Sequence, residues 1–350
     1  MPSRTRRPAF EIAGQQVPAG ERQTVQIPVS VLSDNTPMAL PVHVVHGRSD
    51  GPVLFVSAAV HGDEIQGVEI IRRLLRRSRF RRLEGTLIAV PIVNAYGFIS
   101  HSRYLPDRRD LNRSFPGSEK GSLASRLANL FLTEVVMRSD LGIDLHSAAV
   151  HRSNLPQIRI GKDAPKLDDL ATSFGAPIVI QSPVRPGSLR AAAADHGVDV
   201  MLYEAGEALR FDEYAIRIGE RGILAVMHQI GMASAKKATR PKRPPAHSTK
   251  SSWVRAPEGG ILRTHQKNGA AVAKGDLMGV ISDSVGEAET EVIAPNAGIV
   301  IGRTNLPIVN QGDALFHIAE VAGAVAAGDK IEAIAEDLEA NPMFDEDEII

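Results

Sequence analysis

A histidine and a glutamate three residues apart form the first motif with chemical potential, in AAVHGDEIQGVEII over residues 58–71. His61 directly follows an apolar run at 53–60, which is typical of a buried strand. Glu64 falls in the first turn of the helix that the spacing predicts over 64–77. Zinc accepts imidazole nitrogen and carboxylate oxygen, so the pair predicts part of a metal site. A capping or salt-bridging pair would give the same pattern.

A second histidine ends another predicted strand, in LGIDLHS over residues 141–147. Ligands of open α/β sheets bind at the carboxyl ends of the strands, so His146 is expected beside His61 and Glu64 as a third metal ligand. Asp144, two residues earlier, can orient a ligand imidazole. The alternative is a hydrogen-bonded core histidine.

A glutamate follows a third apolar run, in VMLYEAGEA over residues 200–208. Glu204 stands at the end of this predicted strand, and Gly206 follows it. A carboxylate at a strand end beside a metal-bound water is suited to act as a general base. Glu207 is interpreted as a surface residue.

The segment RYLPDRRDLNRSFPG, over residues 103–117, is too polar and too rich in proline and glycine for a core element. It predicts a functional loop. Asn112 and Arg113 within it can grip a carboxylate, because a guanidinium forms a bidentate fork and the amide adds a donor. An exposed surface turn is the alternative interpretation.

Strands that alternate with helices must position these residues. This order predicts an α/β domain with a mixed sheet and helices on both faces, preceded by a short β-rich part that reaches about residue 46. The predicted strands cover 25–31, 41–45, 53–60, 86–94, 141–145, 176–180 and 198–203, and the predicted helices cover 64–77 and 122–137.

The composition excludes several classes of protein. The chain has 350 residues, enough for about two domains, and its hydrophobic share of 43% excludes disorder as the main state. The net charge of −1 predicts no nucleic-acid partner, and no apolar stretch predicts a membrane span. Because the chain has no cysteine, a metal would need His, Asp or Glu ligands. The start of the chain has no apolar signal segment, so a cytoplasmic location is expected.

The C-terminal part contains an internal repeat in which APEGGIL matches APNAGIV and VAKGD matches VNQGD. Two such β-rich halves predict a small all-β barrel or sandwich, which resembles the biotinyl/lipoyl type. The hairpin between the halves has no lysine, so a carrier role is not predicted. The predicted parts are a catalytic domain over 1–234, a linker over 235–252, the β domain over 253–320 and an acidic tail over 321–350.

The four motifs together resemble one enzyme family. The order H-G-D-E, D-L-N-R-x-F-P-G, D-L-H and E-x-G is similar to that of the succinylglutamate desuccinylase/aspartoacylase family. This family belongs to the zinc carboxypeptidase-like superfamily. The resemblance covers roughly residues 42–229, and family members also carry a C-terminal barrel. The set of motifs in this order is specific, whereas no single motif would be.

The resemblance implies a role for eight residues. It implies His61, Glu64 and His146 as the ligands of one zinc ion, Glu204 as catalytic acid and base, Arg103 as the arginine that polarises the scissile carbonyl, Asn112 with Arg113 as a substrate-carboxylate clamp, and Arg190 as a further substrate-binding arginine. The implied activity is hydrolysis of a small N-acyl amino acid or a related amide that carries a carboxylate. The implied partner is this small molecule, and homo-oligomer formation is left open.

Three rival functions are weighed against this prediction. A serine hydrolase lacks support, because the chain has no G-x-S-x-G motif and Ser147 points away from its neighbour His146 on a strand. A zinc carboxypeptidase shares the metal chemistry, but the short interval between Glu64 and His146 leaves little chain for a peptide-binding cleft. A non-catalytic metal-binding module would not need Glu204.

Overall fold

The computed structural model describes residues 7–76, 83–162, 164–233 and 243–340. The strands of the N-terminal part are β1 Phe10–Ile12, β2 Gln15–Val17, β3 Arg22–Val31, β4 Pro37–His46, β5 Ser49–Ala58, β6 Glu84–Val90, β7 Leu141–Ala148, β8 Arg152–Ile160, β9 Ile178–Gln181 and β10 Asp199–Glu207. The later strands are β11 Ala246–Ser248, β12 Ser251–Arg255, β13 Gly260–Thr264, β14 Ala271–Val272, β15 Leu277–Ser282, β16 Glu289–Ile293, β17 Gly298–Thr304, β18 Ile308–Val309 and β19 Ala314–Ala319. The helices are α1 Gln66–Arg76, α2 Ala95–Ile99, α3 Leu123–Glu134, α4 Lys166–Phe174, α5 Leu189–Asp195, α6 Glu213–Gln229 and α7 Ala324–Ala340, with short 3-10 turns at Leu111–Arg113 and Val136–Arg138.

Most strands join one large mixed sheet whose centre is parallel. The strands β6, β5, β7 and β10 lie side by side in that order, each parallel to the next. Beyond β6 the sheet continues through antiparallel β4 and β3, and beyond β10 it continues through antiparallel β8. The parallel centre brings the carboxyl ends of β5, β7 and β10 to the same edge, where ligands of such sheets bind.

Helices cover both faces of this sheet, which confirms the predicted mixed α/β fold. Ile70 of α1, Leu167 of α4 and Ile216 of α6 belong to one buried cluster against the sheet. Leu127 of α3 and Leu189 of α5 belong to a second cluster on the opposite face. Complete burial of such a side chain contributes about 1.5–3 kcal/mol, so the two clusters fix the sheet between its helices.

The predicted β domain over 253–320, the C-terminal all-β part of the chain, contains strands and no helix, but the predicted separate barrel of biotinyl/lipoyl type is not confirmed. The strands β12, β14, β17 and β19 join the large sheet, and β17 pairs antiparallel with β8. The strands β16, β15, β13 and β18 form a second, four-stranded sheet. Since β17 hydrogen-bonds to β8, it covers an edge that would otherwise be open, and the two parts share one sheet.

The segments on either side of the predicted β domain contain regular secondary structure. Within the predicted linker over 235–252, residues 246–248 form β11, which pairs with β9 of the large sheet. Residues 234–242 lie outside the described residues, as do 341–350 of the predicted tail. The helix α7 occupies the start of that tail and buries Ala327 and Ile331. No helix in the described ranges combines the length and hydropathy that a membrane span needs.

Candidate active site

Two imidazoles converge on one carboxylate at the carboxyl edge of the sheet. His61 Nδ1 lies 2.7 Å from Glu64 Oε1, and His146 Nδ1 lies 2.7 Å from Glu64 Oε2. All three side chains are buried, and one nitrogen or oxygen of each falls within 4.8 Å of the others. The structure therefore brings together the three residues predicted as metal ligands.

The chain reaches this geometry through a sharp turn and a close helix contact. At the end of β5, Ala59 adopts a left-handed conformation with φ of 49°, and the chain leaves the strand just before His61. The amide of Glu64 then donates to the carbonyl of His61, at 3.1 Å, so the two side chains share one turn. A Cβ at Gly67 would lie 2.6 Å from side-chain atoms of β5 and β7. Glycine thus lets α1 pack tightly against the strand that carries His146.

A second carboxylate binds the outer nitrogen of each imidazole. His61 Nε2 lies 3.1 Å from Asp110 Oδ1, and His146 Nε2 lies 2.8 Å from Asp144 Oδ2. Ser57 in turn donates to the other oxygen of Asp144, at 2.7 Å. An outer carboxylate of this kind fixes the tautomer and orientation of a metal-binding imidazole. Asp144 occupies the place predicted for it.

The electrostatics of this cluster favour charge on all three members. Burial disfavours ionised Glu64, but the imidazoles of His61 and His146 outweigh it and hold the pKa of Glu64 below its usual range. Burial also disfavours the imidazolium form of His146, yet Asp144 and Glu64 raise the pKa of His146 well above 6.5. The pKa of His61 is raised as well, because Glu64 and Asp110 outweigh its burial. These electrostatics therefore favour an ionised Glu64 between two protonated imidazoles.

The residues present fit a zinc ion. Two imidazole nitrogens and one carboxylate oxygen form a donor set that is typical of catalytic zinc sites with three protein ligands. The inner nitrogen of each imidazole is Nδ1, while each Nε2 is already bound to a carboxylate. The structure thus presents the convergent donors and outer hydrogen bonds that zinc requires.

Arg103 lies directly beside this cluster, next to the ligand carboxylate. Its Nη1 donates to Glu64 Oε1 at 3.1 Å, and its Nη2 donates to Asp110 Oδ2 at 3.0 Å. Burial disfavours the charged guanidinium, but Glu64 and Asp110 raise the pKa of Arg103 above its usual value. Since each terminal nitrogen carries a second hydrogen, the guanidinium can also donate to a bound molecule.

Glu204 stands on β10 next to the strand that carries His146, and these two residues are directly paired in the parallel register. The register with β8 shifts between Glu204 and Gly206. Glu204 Oε2 accepts a hydrogen bond from Asn154 Nδ2 at 2.9 Å and forms an ion pair with Arg159 Nη2 at 3.3 Å. The predicted acid/base carboxylate thus lies at the same edge as the histidine cluster.

The three residues predicted to bind a substrate carboxylate differ in their burial and in their hydrogen bonds. The side-chain oxygen of Asn112 accepts a hydrogen bond from the amide of Leu189, at 2.9 Å, and so caps α5. Arg113 is exposed, and its guanidinium donates to the backbone carbonyl of Asn112. Arg190 is more sheltered, and its Nη1 is buried with no hydrogen-bond partner among the described residues. Burial and then the charge of Arg159 lower the pKa of Arg190.

Three residues at the site were missed by sequence reasoning. Asp110 lies within the polar loop motif, but its type and position do not distinguish it from Asp107. Asn154 and Arg159 lie on β8 and both reach Glu204. The polar residues Gln157 and Arg159 alternate with isoleucines along β8, a pattern that indicates one polar face on an otherwise buried strand.

Comparison with known proteins agrees with the fold. Residues 50–230 match the model of the succinylglutamate desuccinylase/aspartoacylase catalytic domain. A curated relative, the N-alpha-acetyl-L-2,4-diaminobutyric acid deacetylase of Halomonas elongata, is 29% identical over 299 residues, or 81% of this chain and 86% of the relative.

Two solved structures share the fold over most of the chain. The succinylglutamate desuccinylase/aspartoacylase from Rhodobacter sphaeroides superposes with a TM-score of 0.79 at 25% identity, covering 86% of this chain and 96% of that one. The product-bound ectoine utilization protein EutE (DoeB) from Ruegeria pomeroyi superposes with a TM-score of 0.76 at 24% identity, covering 85% and 94%. The chain belongs to the succinylglutamate desuccinylase/aspartoacylase family, as its four motifs predicted.

Proposed function

We propose that this protein is a zinc-dependent deacylase that hydrolyses the amide bond of a small N-acyl amino acid or a related carboxylate-bearing amide. The products are a free carboxylic acid and a free amine. The family and its curated deacetylase relative support a hydrolase that acts on amide bonds. The convergence of His61, Glu64 and His146 beside Arg103 and Glu204 is the observation that carries the proposal.

His61, Glu64 and His146 would hold the zinc ion through two Nδ1 atoms and one carboxylate oxygen. When bound, zinc supplies Lewis acidity, which activates water near neutral pH and polarises a carbonyl oxygen. Asp110 and Asp144 keep the two imidazoles in the tautomer that leaves Nδ1 free to act as a ligand.

Glu204 is proposed to move the proton. It takes a proton from the attacking water and then delivers it to the nitrogen of the leaving amine, so the carboxylate is regenerated. A positioned group of this kind contributes about 10²–10⁴-fold to the rate. Arg103 is proposed to donate to the carbonyl oxygen of the scissile amide as negative charge develops there.

The positive side chains around the site support a substrate that carries a carboxylate. Among the described residues, a buried N–H group of Arg190 has no hydrogen-bond partner, and Arg190 lies close enough to Glu204 to interact with it electrostatically. Arg113 lies in the loop that packs against the segment before α5, where the backbone amide of Phe115 donates to the carbonyl of Gly187, at 3.1 Å. We propose Arg190 as the sheltered carboxylate contact, and Asn112 with Arg113 as the contact nearer to solvent.

The substrate panel follows from these features and from the relative. Acetyl and succinyl derivatives of aspartate, glutamate and diamino acids test the acyl group and the leaving amine together, with amine release as the readout. Dipeptides with a free C-terminus test the carboxypeptidase alternative in the same assay. Hydrolysis of an N-acyl amino acid at a higher kcat/KM than any dipeptide is the expected result.

The variant Glu204→Gln tests the proposed mechanism, with Glu207→Gln on the same strand as the matched control. Glu207 accepts hydrogen bonds from the amide of His151 and from Asn305, so its role is structural. We expect Glu204→Gln to retain zinc and to lose about 10²–10⁴-fold in kcat, and Glu207→Gln to retain both. An unchanged kcat in Glu204→Gln would contradict the proposed role. Zinc binding without any hydrolysis across the panel would favour the non-catalytic module.

A further inference from the structure

We infer that Asn154 and Arg159 of β8 are positioning residues for Glu204, and that they leave its Oε1 as the oxygen that exchanges the proton. The inference rests on the proposed acid/base role of Glu204. It extends that role to two residues that do not coordinate the metal.

Both contacts fall on the same oxygen of the carboxylate. Asn154 Nδ2 donates to Glu204 Oε2 at 2.9 Å, and Arg159 Nη2 lies 3.3 Å from that oxygen. Across the residues that the structure describes, Oε1 accepts no hydrogen bond. The two oxygens of a free carboxylate are chemically equivalent, and this environment makes them different. The unbound oxygen keeps its lone pairs free to accept a proton, whereas Oε2 already accepts a hydrogen bond from Asn154.

The strand register explains how Arg159 reaches Glu204. On β10, Glu204 pairs with Gln157 of the antiparallel strand β8, and Leu202 pairs with Arg159. Residues that alternate along a strand share a face, so Arg159 and Glu204 project to the same side of the sheet. Arg159 retains only 20% of its side-chain exposure, and Glu204 is its one acidic partner among the described residues. A sheltered guanidinium with a single counter-charge holds that carboxylate in place.

The C-terminal part of the chain sets the position of Asn154. Gly302 of β17 pairs with Asn154 in the antiparallel register. A Cβ added at Gly302 would lie 2.6 Å from Asn154 Oδ1, closer than two such atoms approach. Glycine at this position therefore leaves room for the amide that donates to Glu204. Through Gly302, the all-β part thus affects the proposed acid/base residue by way of the Asn154 side chain.

A carboxylate held in this way returns to the same orientation after each proton transfer. Loss of the contacts would leave zinc binding and substrate binding intact, but Glu204 would spend less time in the reactive orientation. Hydrogen bonds to a charged group are strong enough that loss of one reduces kcat by about 10- to 100-fold. KM would change little, because neither residue is placed against the substrate.

The experiment uses the zinc-loaded full chain with the best substrate of the panel. We expect Asn154→Ala, Arg159→Met and Gly302→Ala each to lower kcat by about 10- to 100-fold, with KM and zinc content within about twofold of the original protein. Arg152→Met is the matched control on the same strand, since its guanidinium stacks on Trp253 instead. We expect this control to keep kcat.

The variant Asn154→Asp separates hydrogen bonding from space filling. Aspartate has nearly the same shape as asparagine, but its ionised carboxylate cannot donate to Glu204. We expect Asn154→Asp to lose at least as much kcat as Asn154→Ala. Full activity of the aspartate variant would overturn the assignment. If Gly302→Ala fails to fold, the comparison of Asn154→Asp with Asn154→Ala tests the role of Asn154 in its place.

A double-mutant cycle separates failure of this inference from failure of the proposed function. If Glu204 is positioned by Arg159, then Arg159→Met should reduce kcat less than about twofold when Glu204→Gln is already present. Independent, multiplicative losses would overturn the positioning role while leaving Glu204 as the acid/base residue. If Glu204→Gln alone keeps full kcat, the proposed function of Glu204 fails first, and the positioning role fails with it.

Discussion

Replacement of the carboxylates behind the two histidines gives a graded test of the metal site. Asp144→Asn and Asp110→Asn keep the size of each side chain and an oxygen that can accept from Nε2, but each removes one negative charge. Asp144 lies 2.8 Å from His146 Nε2, and Asp110 lies 3.1 Å from His61 Nε2. Both substitutions should weaken zinc binding without removing a ligand.

The size of each loss follows from burial and from competing partners. Substitution of such outer partners typically reduces metal affinity by about 10- to 100-fold, or about 1.4–2.7 kcal/mol. Asp144 retains 1% of its side-chain exposure, whereas Asp110 retains 16% and shares its charge with Arg103. We therefore expect Asp144→Asn near the upper end of this range and Asp110→Asn near the lower end.

Competition with a chromophoric zinc chelator measures both affinities, and amine release measures the accompanying loss of kcat/KM. Asp107→Asn is the matched control in the same loop as Asp110. Asp107 accepts a hydrogen bond from the amide of Ala124, at 3.1 Å, and contacts neither imidazole among the described residues. Zinc affinity of Asp144→Asn equal to that of the original protein would refute the claim that Asp144 orients His146 for a metal.

Three further predictions concern the arginines and the titration of buried histidines. Arg190→Met should lower kcat/KM by more than about tenfold on carboxylate substrates, and Arg113→Met should lower it by less, because Arg113 is exposed. If a variant loses as much kcat/KM on the methyl ester as on the acid, its arginine does not bind the substrate carboxylate. Zinc binding near neutral pH should release protons, because the pKa values of His61 and His146 are raised in the metal-free fold. The affinity for zinc should therefore rise with pH. Calorimetric heats of binding that do not depend on the buffer would contradict proton release. Burial lowers the pKa of His317 to about 3, so the unfolded chain binds a proton that the folded chain does not, and stability falls as the pH drops from 6.5 to about 3. His317→Gln should reduce this fall in stability by up to about 1.4 kcal/mol per pH unit. Denaturant unfolding at pH 6.5 and at about pH 3 measures the fall, and an equal fall in the variant and the original protein would contradict the prediction.

The sequence predicted the elements that rest on local pattern. The apolar runs that end at His61 and His146 are strands β5 and β7, because fully buried parallel strands need apolar side chains on both faces. The helix predicted over 64–77 begins two residues later, at Gln66, since Glu64 belongs to the turn that joins it to His61.

The rest depends on contacts between distant segments, which local pattern does not contain. The pairing of β17 with β8 joins residues about 150 positions apart, and no motif in either strand specifies the other. For the same reason, the prediction of a separate barrel did not include the sheet that the two parts of the chain share. Asp110 and Asn154 reach the site from a loop and a neighbouring strand, so their contacts with His61 and Glu204 emerge only in three dimensions.

The most direct test of the central claim measures zinc content and amide hydrolysis together, in the original protein and in His146→Ala. We expect one zinc per chain in the original protein and release of free amine from an N-acyl amino acid. Chelation should abolish that activity, and one equivalent of zinc should restore it. His146→Ala should lack both the metal and the activity, because it removes one of three protein ligands. Full zinc content and full activity in His146→Ala, or undiminished hydrolysis by the original protein after removal of zinc, would show that this site is not a catalytic zinc centre.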